Sequence, residues 1–451
     1  MFVRDIASIN RGLSISKAFG KASGALLNMD KCWGLWFGSW AGRADKPCGL
    51  NWTNDVLKIC GIKFGQNSVE INWKSILEKF ANAADLLSSR TLSLRSKSNY
   101  IQCMLCSKLW YAGSVLTISA EVTKKFQSVI FKVFWGKTME WVNRETVHLS
   151  FKDGGFSVVS VELKLLALRI KHIVNLFHTE AKWSYFAIYW IGQYVRDFEP
   201  KFASNLIPHS SIIPDYYKEV LKMFCKIAKA VPNFKALSTK KIYLFLFNER
   251  KTVPRIVNKF PRINFTEAWT NTHNVIIEPE HRDVSWRIIH HIIPVHYFLF
   301  EKNKKLNCEC VLCDGVETVV HLFAFCPVIR PLWHYNEGIL SEFSGMKVII
   351  KARDVIFNVF AKHQCKDFND MFLYLINVAK YCIWFLRNQA KHDKVNIESD
   401  NIIRFFISRV RIRILADHIR LPFVIFERFW GKNNTFITIK KKQIEVVLKP
   451  P

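Results

Sequence analysis

The residues best equipped for chemistry lie between Cys308 and Trp333, in the stretch CECVLCDGVETVVHLFAFCPVIRPLW. Cys310 and Cys313 stand two residues apart, which sets two thiolates on one tight turn, and Asp314-Gly315 follows to let the backbone reverse. His321 comes after seven further residues and Cys326 after four more, giving the pattern C-x2-C-x7-H-x4-C. Three thiolates and an imidazole close a tetrahedron around zinc, and a site with four protein ligands keeps no open position for a substrate, so the expected role is structural. Metal binding of this kind is worth on the order of 10 kcal/mol, which becomes folding energy for a small module. Cys308 is a spare or alternative ligand. The competing reading is a group of buried free cysteines around a core histidine. Cys103-x2-Cys106 is read in that second way, because it sits in the apolar helical stretch YIQCMLCSKLWYAG with no second pair nearby.

The flanking segments must position these donors. ETVVHLFAF has the pattern of a short helix, and Pro327 stops its continuation after Cys326. His321 and Cys326 would then approach the knuckle from the helix and from its end. Upstream, SWRIIHHIIPVHYFLFEK (Ser285–Lys302) reads as an amphipathic helix broken at Pro294, with Trp286 and Arg287 near its start. Downstream, CPVIRPLW closes the run on a tryptophan.

Composition bounds the rest. The 451 residues are half hydrophobic, so the chain buries real cores, and it is long enough for roughly two to four domains. The net charge of +28 favours polyanions, nucleic acid first and an anionic membrane surface second. No stretch reaches the roughly 18 uninterrupted apolar residues of a membrane span, since the longest candidates, Phe186–Val195 and Met371–Leu386, are short or carry a lysine. The start, MFVRDIASINRGL, has no apolar signal-peptide core. Twelve cysteines in a chain of this length do not make a disulfide framework, which points to a reducing cytoplasm or nucleus.

The knuckle, the tryptophan-arginine pair, the proline-broken helix and the closing tryptophan together resemble the zinc-binding region at the end of non-LTR (LINE-type) retrotransposon reverse transcriptases. Other segments extend the likeness. Lys17–Trp40, with Ser23-Gly24, Asn28-x2-Lys31 and a strand over Trp33–Gly38, resembles the family's late palm. LKICGIKFG (Leu57–Gly65) resembles the next hairpin, and the helical run entered at Asn72-Trp73 resembles the thumb, with Gly154-Gly155 as a turn before a further helix. LINVAKYCIWFLRNQAKHDK is similar to the family's tail. The resemblance implies an RNA-directed DNA polymerase as the parent activity, with zinc as a structural cofactor and the template-primer backbone as partner.

Polymerisation needs two metal ions held by clustered carboxylates. The family supplies these with paired aspartates on a palm hairpin, and no Asp-Asp pair occurs anywhere in this sequence. FVRDIASI resembles the segment that follows such a pair, so the expectation is a truncated chain that lacks the catalytic palm. It is not itself an enzyme on this reading, and no catalytic residue is assigned. Lys31 matches a palm lysine but has no reaction to assist.

What remains is a set of basic residues suited to phosphate backbone: Lys31; Arg90, Arg95 and Lys97 near a helix start; Lys164, Arg169 and Lys171 on the helix after Gly155; Arg287; and Arg409, Arg411 and Arg413. Solvated helix faces are the competing reading of each group. RVRIRI, residues 409–414, alternates strictly and is expected as a strand with one basic face. Lys440–Lys442 is a short basic run, either a nuclear signal or a polar end. The expected fold is mostly α, an α+β arrangement with short strands. It comprises a palm remnant over 1–72, a thumb-like helical domain over 73–180, a connector over 181–284, a zinc-binding module over 285–345 and a basic, mostly helical region over 346–451. The leading expectation is a nucleic-acid-binding reverse-transcriptase fragment. The alternatives are a host-adopted zinc-containing module that binds nucleic acid or protein, and part of an active polymerase whose catalytic segment lies elsewhere.

Overall fold

Helices carry most of the chain in a computed structural model that describes residues 3, 5–136, 139–199, 202, 213–440 and 443–449. The fold is mostly α, with short strands, as the sequence predicts. Two compact units are each assembled from three stretches: 1–90, 102–133 and 160–249 in the first, and 91–101, 134–159 and 250–451 in the second.

In the first unit, helix Ile6–Ser23 begins at Asp5, whose carboxylate accepts the Ser8 N–H at 2.6 Å, and ends at Gly24 in the left-handed region. Asn28 caps the 3-10 turn Met29–Lys31. Strand Trp33–Leu35 follows and pairs parallel with Asn51–Thr53. The hairpin expected over Leu57–Gly65 is present as Val56–Ile59 and Ile62–Gly65, with Ile59 opposite Ile62. Its two-residue loop, Cys60-Gly61, has positive φ at both positions, the turn whose twist matches the strands. Asn72 locks the next helix, Ser68–Ser88, to that hairpin by donating to the Lys63 and Ser68 carbonyls and accepting the Lys63 N–H. Helix Val161–Leu176 then packs with helices Asp215–Ala230 and Thr239–Asn248 around buried Ile170, Val174, Phe224 and Ile242.

The second unit is built on helix Lys366–Asp393, buried at every residue from Met371 to Lys380. Helices Pro279–Ile289 and Ser399–Arg420 pack on it. Gly154, at φ +90°, lets the chain pass close to Trp269, for a Cβ there would lie 2.7 Å from that ring. The Gly154 carbonyl accepts the Trp286 indole N–H at 2.9 Å. The proline-broken helix expected over Ser285–Lys302 is two helices, Pro279–Ile289 and His296–Lys302, the first ended by His291 at φ +54° with Pro294 in the connection. Strands Ile437–Lys440 and Gln443–Val446 form a hairpin, and Lys441 and Lys442 of the basic run lie outside the described residues.

One expectation is overturned here. Residues 409–414 are not a strand but part of helix Ser399–Arg420. Ile402, Ile403, Phe406, Ile407, Val410 and Ile414 are buried at helical spacing, and Glu398 with Asn401 forms a capping box at the start. The 3.6-residue period of the whole segment outweighs the alternation of six residues.

Candidate metal centre and basic surface

The knuckle is a miniature hairpin. Glu309 and Val316 form a β-bridge, the Glu317 N–H donates to the Cys308 carbonyl at 2.8 Å, and the Cys310 N–H donates to the Gly315 carbonyl. Thr318 then caps a helical turn, its Oγ1 accepting the His321 N–H at 3.0 Å. That turn is wide over His321–Phe325, and the Cys326 N–H closes on the His321 carbonyl at 2.7 Å. This five-residue bond swings Cys326 back beneath His321 rather than onward along the helix. Pro327 opens the next turn, and helix Arg330–Ser344 follows. The closing tryptophan has a defined role: Trp333 Nε1 donates to the Phe323 carbonyl at 2.9 Å, tying this helix to the wide turn.

Four donor atoms converge as a result. Those of Cys310, Cys313, His321 and Cys326 all lie within 4.8 Å of one another. Cys313 Sγ stands 3.2 Å from His321 Nε2 and 3.7 Å from Cys326 Sγ. Zinc–sulfur bonds of about 2.3 Å put the sulfur–sulfur edge of a tetrahedron at about 3.8 Å, so the donors fit the ion. Gly315 makes room for the imidazole, since a Cβ at that position would lie 2.7 Å from His321 Cε1. The Cys326 thiol lowers the Cys310 thiol to about 5, against burial and with help from the Leu312 and Cys313 N–H groups and from His321. Beside that ready thiolate, the buried Cys326 thiol is pushed far up. A dication removes this conflict by stabilising all the sulfurs as thiolates. Cys308 lies outside the converging set.

Residues 237–333 match the family described as zinc-binding in reverse transcriptase. This segment is similar to a reverse-transcriptase zinc-binding region. The match contains all four donors and ends on Trp333. A curated relative, the Transposon TX1 uncharacterized 149 kDa protein of Xenopus laevis, is 24% identical over 249 residues, covering 51% of this chain. The chain spans only 18% of the length of that relative. Both findings bear out the resemblance to the carboxy-terminal zinc-binding region of a non-LTR retrotransposon reverse transcriptase.

The zinc-binding region is held by residues the sequence reading did not single out. Glu317, with no exposed surface, accepts the His296 N–H at 2.7 Å and the Val311 N–H at 3.2 Å. Its remaining capacity goes to Arg387 on helix Lys366–Asp393, also buried. The available signal was a charge on an apolar helix: Arg387, like Lys380, interrupts the longest apolar run in the chain.

The predicted phosphate contacts fall into different settings. In the first unit, Lys31 and Arg90 are exposed, Lys164 lies half-buried with its ammonium 6.0 Å from the Trp110 ring, and Lys171 lines a cavity with His172 and Tyr216. Arg169 leaves the basic face altogether. It is 2% exposed, pairs with Glu219 at 2.6 Å and donates to the Gly113 and Leu116 carbonyls, because its helix position faces the core. In the second unit the fold brings Lys97, Arg282 and Arg287 around one carboxylate, Asp283, which accepts the Leu94 N–H at 2.8 Å, while Arg95 stands beside Arg282, over the Phe151 ring at 4.8 Å and donating to the His273 carbonyl. Burial pushes the Asp283 carboxyl up to about 6, against the pull of that N–H and of Arg287, Lys97 and Arg282. Arg409 lies over the Tyr381 ring at 5.4 Å, Arg411 donates to the Leu448 carbonyl, and Arg413 pairs with Glu278 at 2.7 Å and Asp417 at 2.8 Å. No helix among the described residues is long and apolar enough to cross a membrane.

Proposed function

We propose that this chain is a nucleic-acid-binding part of a non-LTR retrotransposon reverse transcriptase, with a structural zinc ion in its knuckle and no polymerase activity of its own. Cys310, Cys313, His321 and Cys326 hold the ion, which cross-links the hairpin to the wide turn and takes no substrate. One observation carries the binding role: Lys97, Arg282 and Arg287 crowd a single carboxylate with Arg95 beside Arg282, an excess of positive charge that a polyanionic backbone satisfies. RNA, DNA or their hybrid presents that backbone. The absence of any Asp-Asp pair in the sequence supports the inactivity. Twelve free cysteines support residence in a reducing compartment, nucleus or cytoplasm.

Fluorescence anisotropy with an RNA–DNA hybrid tests the binding role. Affinity is expected to fall steeply with salt, and Arg95→Ala to weaken binding across sequences while reducing the salt slope by about one. Salt-independent or undetectable binding at low ionic strength overturns it. Primer extension tests the other half, and incorporation above background would refute the inactivity.

A further inference from the structure

The correction at residues 409–414 has a chemical consequence. In a strand, Arg409, Arg411 and Arg413 would share a face, whereas in helix Ser399–Arg420 the positions that share one are Arg409, Arg413 and Arg420. That face lines a cleft of ≈ 350 Å³ closed on its other side by Val275, His281 and Arg282. Within the cleft Arg413 answers both carboxylates, Glu278 and Asp417. Arg409 and Arg420 form no ion pair among the described residues, and Arg282 donates through Nε to the Ile277 carbonyl at 2.7 Å and shares Asp283 with Lys97 and Arg287. Burial and the like charge of Arg95 lower the Arg282 guanidinium, against the pull of Asp283 and Glu278. His281, only 2% exposed, has no hydrogen-bond partner at Nε2. A buried polar atom without a partner, two cations without an ion pair and a third that shares its carboxylate with Lys97 and Arg287 mark a site that is completed by an anionic ligand.

We propose that this cleft seats one nucleotide of single-stranded nucleic acid, with its phosphate on Arg282, Arg409 and Arg420 and its base against Ile412 and Val275. The size fits, since the cleft is at the lower end of the ~300–1,000 Å³ range of small-ligand sites. Ile412 and Val275 are 57% and 81% exposed, an apolar wall with no protein cover. A duplex keeps its bases paired and stacked, and so offers the cleft phosphate alone; a single strand can splay a base onto the apolar and guanidinium surfaces.

The proposal rests on the nucleic-acid-binding reading, and its test separates the two. Anisotropy on the full chain compares a labelled single-stranded RNA with the same strand in duplex form, for the wild type, Arg409→Glu/Arg420→Glu and Ile412→Glu. Each variant is first checked for zinc content and circular dichroism, and Arg420→Glu alone, at an exposed position, replaces the double variant if that one misfolds. The expected result is a loss of about tenfold for the single strand with the duplex affinity changed far less. Equal losses for both forms, or no loss for either, overturn the single-strand seat while nucleic-acid binding stands. Binding of neither form by the wild type overturns both.

Discussion

Arg387 Nε donates to Glu317 Oε2 at 3.1 Å while its Nη2 meets Oε1, so one guanidinium engages both oxygens of a carboxylate set inside the cysteine–histidine knuckle. Neither side chain has more than 1% of its surface exposed. Two backbone N–H groups complete the carboxylate, from Val311 on the knuckle and His296 on the preceding helix. The ion pair thus fixes three segments to one another where the metal ligands fix only two.

Arg387→Met leaves the Glu317 carboxylate buried without its cation. It is expected to cost about 3–5 kcal/mol, and the double variant Glu317→Leu/Arg387→Met less than the sum of the single changes. Urea denaturation of the four proteins measures this. A single variant as stable as the wild type would remove the pair from the account.

Gly315→Ala changes no metal ligand, yet its Cβ would stand 2.7 Å from His321 Cε1. Zinc affinity, read by competition with a chromophoric chelator, is expected to drop by about tenfold or more. Cys313→Ser is expected to remove the metal from the purified chain. Zinc content equal to the wild type in the serine variant would show that these four residues are not the site.

Asp283 gives stability a pH dependence of definite sign. Its carboxyl is raised from 3.8 to about 6 in the folded chain, so the folded state holds the proton more tightly. The contribution is complete below the unfolded value and is lost as pH rises through about 6. Relative to Asp283→Asn, the wild type is expected to lose of order 2 kcal/mol between pH 4 and pH 7. Parallel stability curves for the two proteins over that window would contradict the shift.

Lys380 predicts the opposite slope. It is fully buried, donates to Ser285 Oγ and Asn358 Oδ1 at 2.7 Å each, and burial lowers its ammonium well below 10.5. Two donated bonds match the two N–H groups of a neutral amine. The unfolded chain then binds the extra proton, so stability rises with pH from the depressed folded value up to about 10.5. Replacement by methionine is expected to abolish that rise, which chemical denaturation at a series of alkaline pH values would detect. An unchanged slope in Lys380→Met would show the ammonium to be charged in the fold.

Much was legible before any coordinates. The four metal donors stand at spacings of two, seven and four residues, and the turn, helix and proline that bring them together lie among the same residues. The hairpin at Leu57–Gly65 was legible through the family resemblance and the turn at Gly154-Gly155 through its paired glycine, while the two-residue loop Cys60-Gly61 came from the structure. The alternation of residues 409–414 misled, because six residues fit a strand while the surrounding twenty-two fit a helix.

The sequence by itself determined the candidate metal cluster, because the convergence of neighbouring donors is a matter of residue type and short-range spacing. Only the tertiary structure decided which charges work at the surface and which are consumed inside. Arg169 and Arg95 look alike in the sequence, yet one is spent on Glu219 in a core while the other stands beside a second cation, Arg282. The same holds for Glu317, whose partner lies 70 residues away. A charge's role depends on which faces of distant helices come to touch, and that is settled by the packing of apolar side chains across the whole unit.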